Sequence, residues 1–380
     1  MSHSNSAVQE ASESSIDVVY YSRMFQSVPH LAQVCQELPG TFVTSRRSTL
    51  KAAQRLYPAM PAAKTSKFFG DFNRGNRALK NADVIVTGSP YKNVLAPFSA
   101  KKCTVFHGTY MMLSREALLS NAHFDLLCVT GPRMQQMIDR HADEISVNTA
   151  QTGFLPFAEF PIKSAAFTLE TLERLNLNPA HKTILYTPSR RGLGSWGYAA
   201  EQLILTLPKH FNLILRPHPS QAITPRQKDR VSFNKVRKMA EKRGNTLVDL
   251  TSLPLSHLQC IADLMISDAN SPAEESLFYD VPQLFIETID LSRKYIADLA
   301  IKERMHNDDT EKLLTLYEIG ESVFLKNTDF DFRGVVEKVL LSSENFSRKR
   351  EDYFSWVFGV RDRLAGKRVA NEIFNLTKNL

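Results

Sequence analysis

Four short stretches place reactive side chains where an apolar run gives way to a turn. The first is Val105-Phe106-His107-Gly108-Thr109. An imidazole titrates near neutral pH and can take a proton from a hydroxyl, and the following glycine permits a tight turn and close approach of a substrate. His107 alone could equally be a turn residue bonded to backbone. The second is Leu213-Ile214-Leu215-Arg216-Pro217-His218-Pro219. Its prolines stiffen the exit, and Arg216 and His218, two apart in an extended chain, project to one side. A guanidinium beside an imidazole suits phosphate groups; the plainer alternative is a rigid turn with a surface arginine.

The third stretch is Asp268-Ala269-Asn270-Ser271-Pro272-Ala273-Glu274-Glu275. Ser271 reads as a helix N-cap, with Pro272 at the first helical position and Glu274 closing a capping box. A helix starting at a strand end offers unpaired amide hydrogens and a positive dipole end to phosphate. Glu274 and Glu275 oppose an anion there unless they turn aside or pair, and Glu275 could meet a ribose hydroxyl. The fourth runs from Thr187 to Gly197 and contains a literal G-x-G-x-x-G with Arg190 and Arg191. A dinucleotide fingerprint needs an acidic residue ending the next strand, whereas here that strand ends in Arg216, so a nicotinamide or flavin site is rejected. A flexible basic loop beside phosphate is expected instead, with Thr187 a candidate nucleotide contact. Asp249, Thr251 and Ser252 form a further strand exit able to reach a base or ribose. Gly131-Pro132-Arg133 reads as a helix start with Arg133 in solvent. No His, Cys and carboxylate group has metal-ligand spacing.

Positioning such exits requires strands, and the chain alternates short apolar β-rich runs with longer amphipathic ones. Strands are expected at Ile16–Tyr21, Thr41–Thr44, Asp83–Thr87, Thr104–His107, Leu126–Val129 and Val147–Thr152. A second series is expected at Thr183–Tyr186, Asn212–Leu215, Thr246–Val248, Asp263–Ile266 and Gln283–Ile286. Continuous apolar runs, rather than strict alternation, mark strands covered on both faces, hence parallel sheets flanked by helices. Between the series, Gly153–Lys163 is irregular. The expected fold is α/β with two doubly wound, Rossmann-like domains facing a central cleft: a loose tail over 1–15, an acceptor-side domain over 16–160, a nucleotide-donor domain over 161–330, and C-terminal helices over 331–380 packing back toward the first domain.

The bulk numbers agree. With 380 residues, 43% hydrophobic and 23% charged, the chain suits two ordinary domains. Its four cysteines are scattered without a C-x-x-C pair, which argues for a reducing compartment. No apolar run approaches the ~18–20 residues of a membrane span. The formal charge of +7 gathers at Arg46, Arg47, Lys51 and Arg55, at Arg74, Arg77 and Lys80, and at Arg348-Lys349-Arg350. It suits solvated helix faces, an anionic substrate or an anionic membrane surface; with no recognition motif, nucleic acid is not the expected partner.

The order of the exits is itself informative: His-Gly-Thr, then Thr-Pro-x-Arg, then a basic-x-His-Pro, then Asp-x-x-Ser at a strand-to-helix turn. Over roughly residues 80 to 290 this succession resembles the CDP-glycerol glycerophosphotransferases, which build teichoic-acid and capsule polymers on a GT-B fold. The resemblance implies His107 as general base, Arg216 and His218 on the diphosphate, and Arg190, Gly108 and the Asp268–Asn270–Ser271 turn at the donor phosphates. It also implies a CDP-activated polyol donor, a polymer or lipid-linked acceptor, no bound cofactor, and an enzyme on the cytoplasmic face of the membrane. Where such enzymes commonly continue His-Gly-Thr with Pro, this chain has Tyr110-Met111-Met112. Its Glu274-Glu275 pair resembles nucleotide-sugar glycosyltransferases, in which a Glu grips the ribose. A glycosyltransferase using a UDP- or CMP-sugar and a non-catalytic nucleotide-binding scaffold are therefore the alternatives.

Overall fold

A computed structural model describes residues 16–66, 70–223 and 225–378; the tail expected over 1–15 lies outside them. Among the described residues, thirteen strands form two sheets. The first holds β1 (Val18–Tyr21), β2 (Thr41–Thr44), β3 (Ala62–Lys64), β4 (Val84–Thr87), β5 (Lys101–Thr104), β6 (Leu126–Val129) and β7 (Asn148–Gln151), in the order β3-β2-β1-β4-β5-β6-β7. The second holds β8 (Lys182–Thr187), β9 (Phe211–Leu215), β10 (Thr246–Val248), β11 (Leu264–Ser267), β12 (Gln283–Thr288) and β13 (Glu321–Leu325), in the order β10-β9-β8-β11-β12-β13. The registered neighbours all run parallel.

Burial explains the continuous apolar runs. In the second sheet Ile184, Tyr186, Leu213, Leu215, Leu264 and Ile266 face the helices Trp196–Thr206 and Gln227–Arg243 through Leu203, Phe233 and Val236. The intervening Leu185, Ile214 and Met265 face Leu172, Leu258 and Ile261 on the other side. Alternate residues thus enter opposite cores, as the period of two requires, and each buried leucine or isoleucine contributes about 1.5–3 kcal/mol. In each sheet the strand order reverses once, between β1 and β4 and between β8 and β11; ligands of such sheets bind at that point, beyond the carboxyl ends.

The structure shifts some expected elements. β5 spans Lys101–Thr104 rather than Thr104–His107, because Lys101 N already donates to Asp83 O (2.9 Å) and Val105 N makes the last such bond, to Thr87 O (2.8 Å). Phe106 then turns at φ 54°, so His107 lies beyond the strand. Strands β3 and β13 escape a pattern search: β3 has only three residues, and β13 is mostly half-exposed and lacks a continuous buried run. The irregular Gly153–Lys163 segment is well packed: Phe154, Phe157 and Phe160 join Phe278, Phe354 and Phe358 in one aromatic cluster. The basic run at 348–350 is not a uniform surface, since Arg350 is buried and its Nε donates to Asp280 Oδ1 at 2.6 Å.

The chain divides into two compact units. One holds the described residues up to Phe106, His123–Leu127 and the chain from Lys367; the other holds His107–Ala122 and Cys128–Gly366. The final helix, Ala365–Thr377, falls almost wholly in the first unit. Among the described residues no helix is long and apolar enough to cross a membrane. All four cysteines are buried thiols.

Candidate active site

A cavity of about 610 Å³ opens in the second unit at the carboxyl ends of β8, β9 and β11. Thr187 and Arg190 reach it from the β8 exit, Arg216 and His218 from β9, and Asn270, Ser271 and Glu275 from β11. Its remaining wall includes Met111, Met112, Leu255, Leu291, Tyr295 and Leu299. Seven residues expected from the sequence thus share one cavity. His107, Gly108, Thr251 and Asp268 do not line it.

Each exit is held by its own contacts. At β8, the carboxylate of Asp268 points inward, 1% exposed. It accepts from Ser189 N, from Ser195 N at 3.0 Å and from the Ser195 hydroxyl, which also lies 2.7 Å from Tyr186 Oη. Asp268 is therefore a fastener of the 188–195 loop rather than a phosphate ligand, and burial pushes its pKa up to about 6. The loop is tied at both ends to Asp268, and within it Leu193 N and Gly194 N donate to Arg190 O at 3.1 and 2.9 Å. A methyl group on Gly194 would sit 2.2 Å from Ser189 O, so glycine serves close backbone approach there. Arg191 turns to Asp229, whereas Arg190 is exposed at the cavity. Thr187 Oγ1 is buried with no hydrogen-bond partner among the described residues.

At β9, Arg216 pairs with the fully buried Asp249, which also accepts from Ser252 N at 2.9 Å. The 249–252 turn thereby closes on itself; Thr251, at φ 71°, bonds its neighbour Leu250 O instead of reaching a nucleotide. His218 caps the short Pro219–Ala222 helix, its Nδ1 accepting from Ser220 N at 3.1 Å. That bond places the imidazole proton on Nε2. Burial first, then the charge of Arg190, hold the His218 pKa below its ordinary 6.5, so at neutral pH the ring is an uncharged donor.

At β11 the cap differs from expectation. Asn270, not Ser271, caps the Ser271–Ser276 helix, its Oδ1 accepting from Ala273 N (3.4 Å) while its Nδ2 donates to Thr187 O (2.9 Å). One amide can serve both bonds, tying two strand exits together; a serine hydroxyl could not span them. Ser271 Oγ instead accepts from Thr109 Oγ1 at 3.1 Å. Glu274 closes no capping box. It is buried and paired with Arg133, which is 0% exposed and not the solvated side chain expected. The Gly131-Pro132-Arg133 pattern marked that helix start, but nothing local showed where the arginine points. Glu275 stays at the cavity, where burial and then the adjacent Glu274 push its pKa up to about 8. Protonated at neutral pH, it does not repel a phosphate.

His107 is half-buried in the turn after β5, with Nδ1 3.1 Å from Tyr110 Oη. Gly108, at φ +100°, makes that turn. The segment meets the cavity through Thr109 on Ser271 and through Met111 and Met112. Among the described residues no group of three or more His, Cys, Asp or Glu could hold a metal ion.

No curated protein sequence matches the chain significantly. Solved structures share its fold. They include the wall teichoic acid polymerase TagF (12% identity, TM-score 0.63, covering 96% of this chain and 89% of that one). A putative UDP-N-acetylglucosamine 2-epimerase from Listeria monocytogenes (13%, 0.58, 97% and 98%) and Anabaena HepE, determined with UDP and glucose (10%, 0.52, 96% and 100%), are also similar. The architecture is of the GT-B type. The model of the CDP-glycerol:poly(glycerophosphate) glycerophosphotransferases matches residues 77–291, more than half the chain and all four strand exits. The chain belongs to the CDP-glycerol:poly(glycerophosphate) glycerophosphotransferase family.

Proposed function

We propose that this glycerophosphotransferase-like enzyme binds the diphosphate of a CDP-activated glycerol or related polyol across Arg190, Arg216, His218 and the Asn270–Ser271 turn, with His107 as general base. The acceptor hydroxyl loses its proton to His107 as its oxygen attacks the β-phosphorus. The bond from that phosphorus to the oxygen bridging the two phosphates breaks, and CMP leaves with the bridging oxygen and its electron pair. Arg190 and Arg216 offset the charge that builds on the phosphoryl oxygens, and His218 donates Nε2–H to them; electrostatic stabilisation of this kind is usually the largest catalytic contribution.

The observation that carries this reading is the convergence of residues from three strand exits on one cavity. The acceptor is a polymer or lipid-linked hydroxyl. Exposed Arg47, Lys51 and Arg55 of the Arg47–Leu56 helix, with Arg74 and Arg77 of the Arg74–Asn81 helix, provide basic surface for an anionic membrane. The test is release of CMP from CDP-glycerol, or from CDP-ribitol, in the presence of an acceptor polyol phosphate. His107→Ala should lower kcat about 10²–10⁴-fold, the usual worth of a general base. Undiminished turnover by that variant would remove His107 from the mechanism, and stabilisation by UDP-sugars in place of CDP-polyols would remove the donor assignment.

A further inference from the structure

We propose that Arg133 is a positioning residue that sets the His107 turn against the start of the Ser271–Ser276 helix; this rests on the function proposed above. The Arg133 guanidinium reaches two segments far apart in sequence. Its Nη2 donates to Thr109 O at 2.6 Å and to Glu274 Oε2 at 3.1 Å, and its Nη1 donates to Glu274 Oε1. Tyr353 Oη donates to the same Glu274 carboxylate at 3.0 Å, and the ring of Trp356 lies 5.5 Å from the guanidinium. Thr109 is tied a second time, by its hydroxyl on Ser271 Oγ.

The turn that Arg133 grips would not hold its shape unaided. Phe106, Gly108 and Tyr110 adopt φ of 54°, 100° and 48°, a left-handed region that non-glycine residues enter only when surroundings impose it. Stability alone is a weak reason for a fully buried ion pair, since a well-packed apolar pair commonly does as well. Orientation is a better one. The planar fork of arginine can serve a carbonyl and a carboxylate at fixed angles, whereas lysine offers a single nitrogen. Glu274 lies in the same helix as Ser271, so one side chain fixes the base-bearing turn relative to the phosphate-binding residues.

The test compares wild type, Arg133→Lys, Glu274→Gln and the uncharged pair Arg133→Met/Glu274→Gln. The last keeps the core filled without an orphaned buried charge, should Arg133→Lys fail to fold. Thermal melts verify folding, CMP release gives kcat and donor KM, and hydrogen exchange follows peptides spanning 107–114. Folded variants lacking the guanidinium should lose about 10²-fold in kcat, as for an ångström-scale misplacement. Their donor KM should stay within about threefold and exchange across 107–114 should quicken, because the deficit arises after donor binding. Glu274→Gln, which retains the contact with Thr109 O, should stay much nearer wild type. Wild-type kcat with unaltered exchange in a folded variant lacking the guanidinium would overturn the proposal. If wild-type protein released no CMP, the proposed function would fall, and the exchange comparison would still decide the role of Arg133.

Discussion

Replacing Gly194 with alanine would drive a methyl carbon into the backbone it packs against. The new carbon would lie 2.2 Å from Ser189 O and 2.7 Å from Ser189 C. Van der Waals contact begins near 3.5 Å, so the Ser189–Arg190 segment must retreat by roughly 1 Å. It cannot do so freely, because Asp268 holds both ends of the loop through Ser189 N and Ser195 N. The strain should cost about 1–3 kcal/mol, in the range of overpacked sites. If Arg190 meets the donor phosphates as proposed, displacing it should lower kcat/KM for CDP-glycerol by about 10²-fold. The other two glycines of the motif act as controls. Gly192 has open space but φ +87°, so alanine there costs backbone strain without pushing its neighbours; Gly197 has open space within the Trp196–Thr206 helix, where alanine should be neutral or slightly stabilising. Urea unfolding followed by tryptophan fluorescence is suited to the comparison, since both tryptophans, Trp196 and Trp356, lie in the second unit. If Gly194→Ala matched Gly197→Ala in both stability and kcat/KM, the close-packed loop would not be what presents Arg190.

Arg216→Met should destabilise by about 3–5 kcal/mol by leaving Asp249 buried and unpaired; the double variant Arg216→Met/Asp249→Asn should recover much of that stability in urea melts but not donor binding by calorimetry. Glu275 keeps its proton in the folded state up to about pH 8, whereas the unfolded chain releases it near the ordinary 4.5. Its contribution to stability therefore declines as pH rises through that window, and Glu275→Gln should gain stability relative to wild type at pH 8 but not at pH 4. His218 behaves oppositely: with a folded pKa below 6.5, it costs stability as pH falls beneath that value, and His218→Asn should flatten that limb of a pH melt series.

Residues at strand exits could be read directly from the amino-acid order. Apolar runs such as Leu213–Leu215 and Leu264–Ile266, followed at once by prolines, serines and charged groups, encode the change from a buried strand to an exposed turn within a few residues. Arg190, Arg216, His218 and Ser271 were legible for that reason, and doubly wound strands bring their carboxyl ends together whatever fills the rest of the fold. What each side chain does once there depends on partners that the fold supplies. Asp268 holds a loop 73 residues back along the chain, at Ser195, and Arg133 meets Glu274 across 141 residues. Local spacing carries no record of partners at such distances. The cap passed from Ser271 to Asn270 for a similar reason: Asn270 also has Thr187 O to bind, and that carbonyl is supplied by a strand 83 residues away. Periodicity and capping preferences act within a turn or two of chain, whereas burial, ion pairing and the pKa values that follow from them are fixed by the sheet order that brings distant segments into contact.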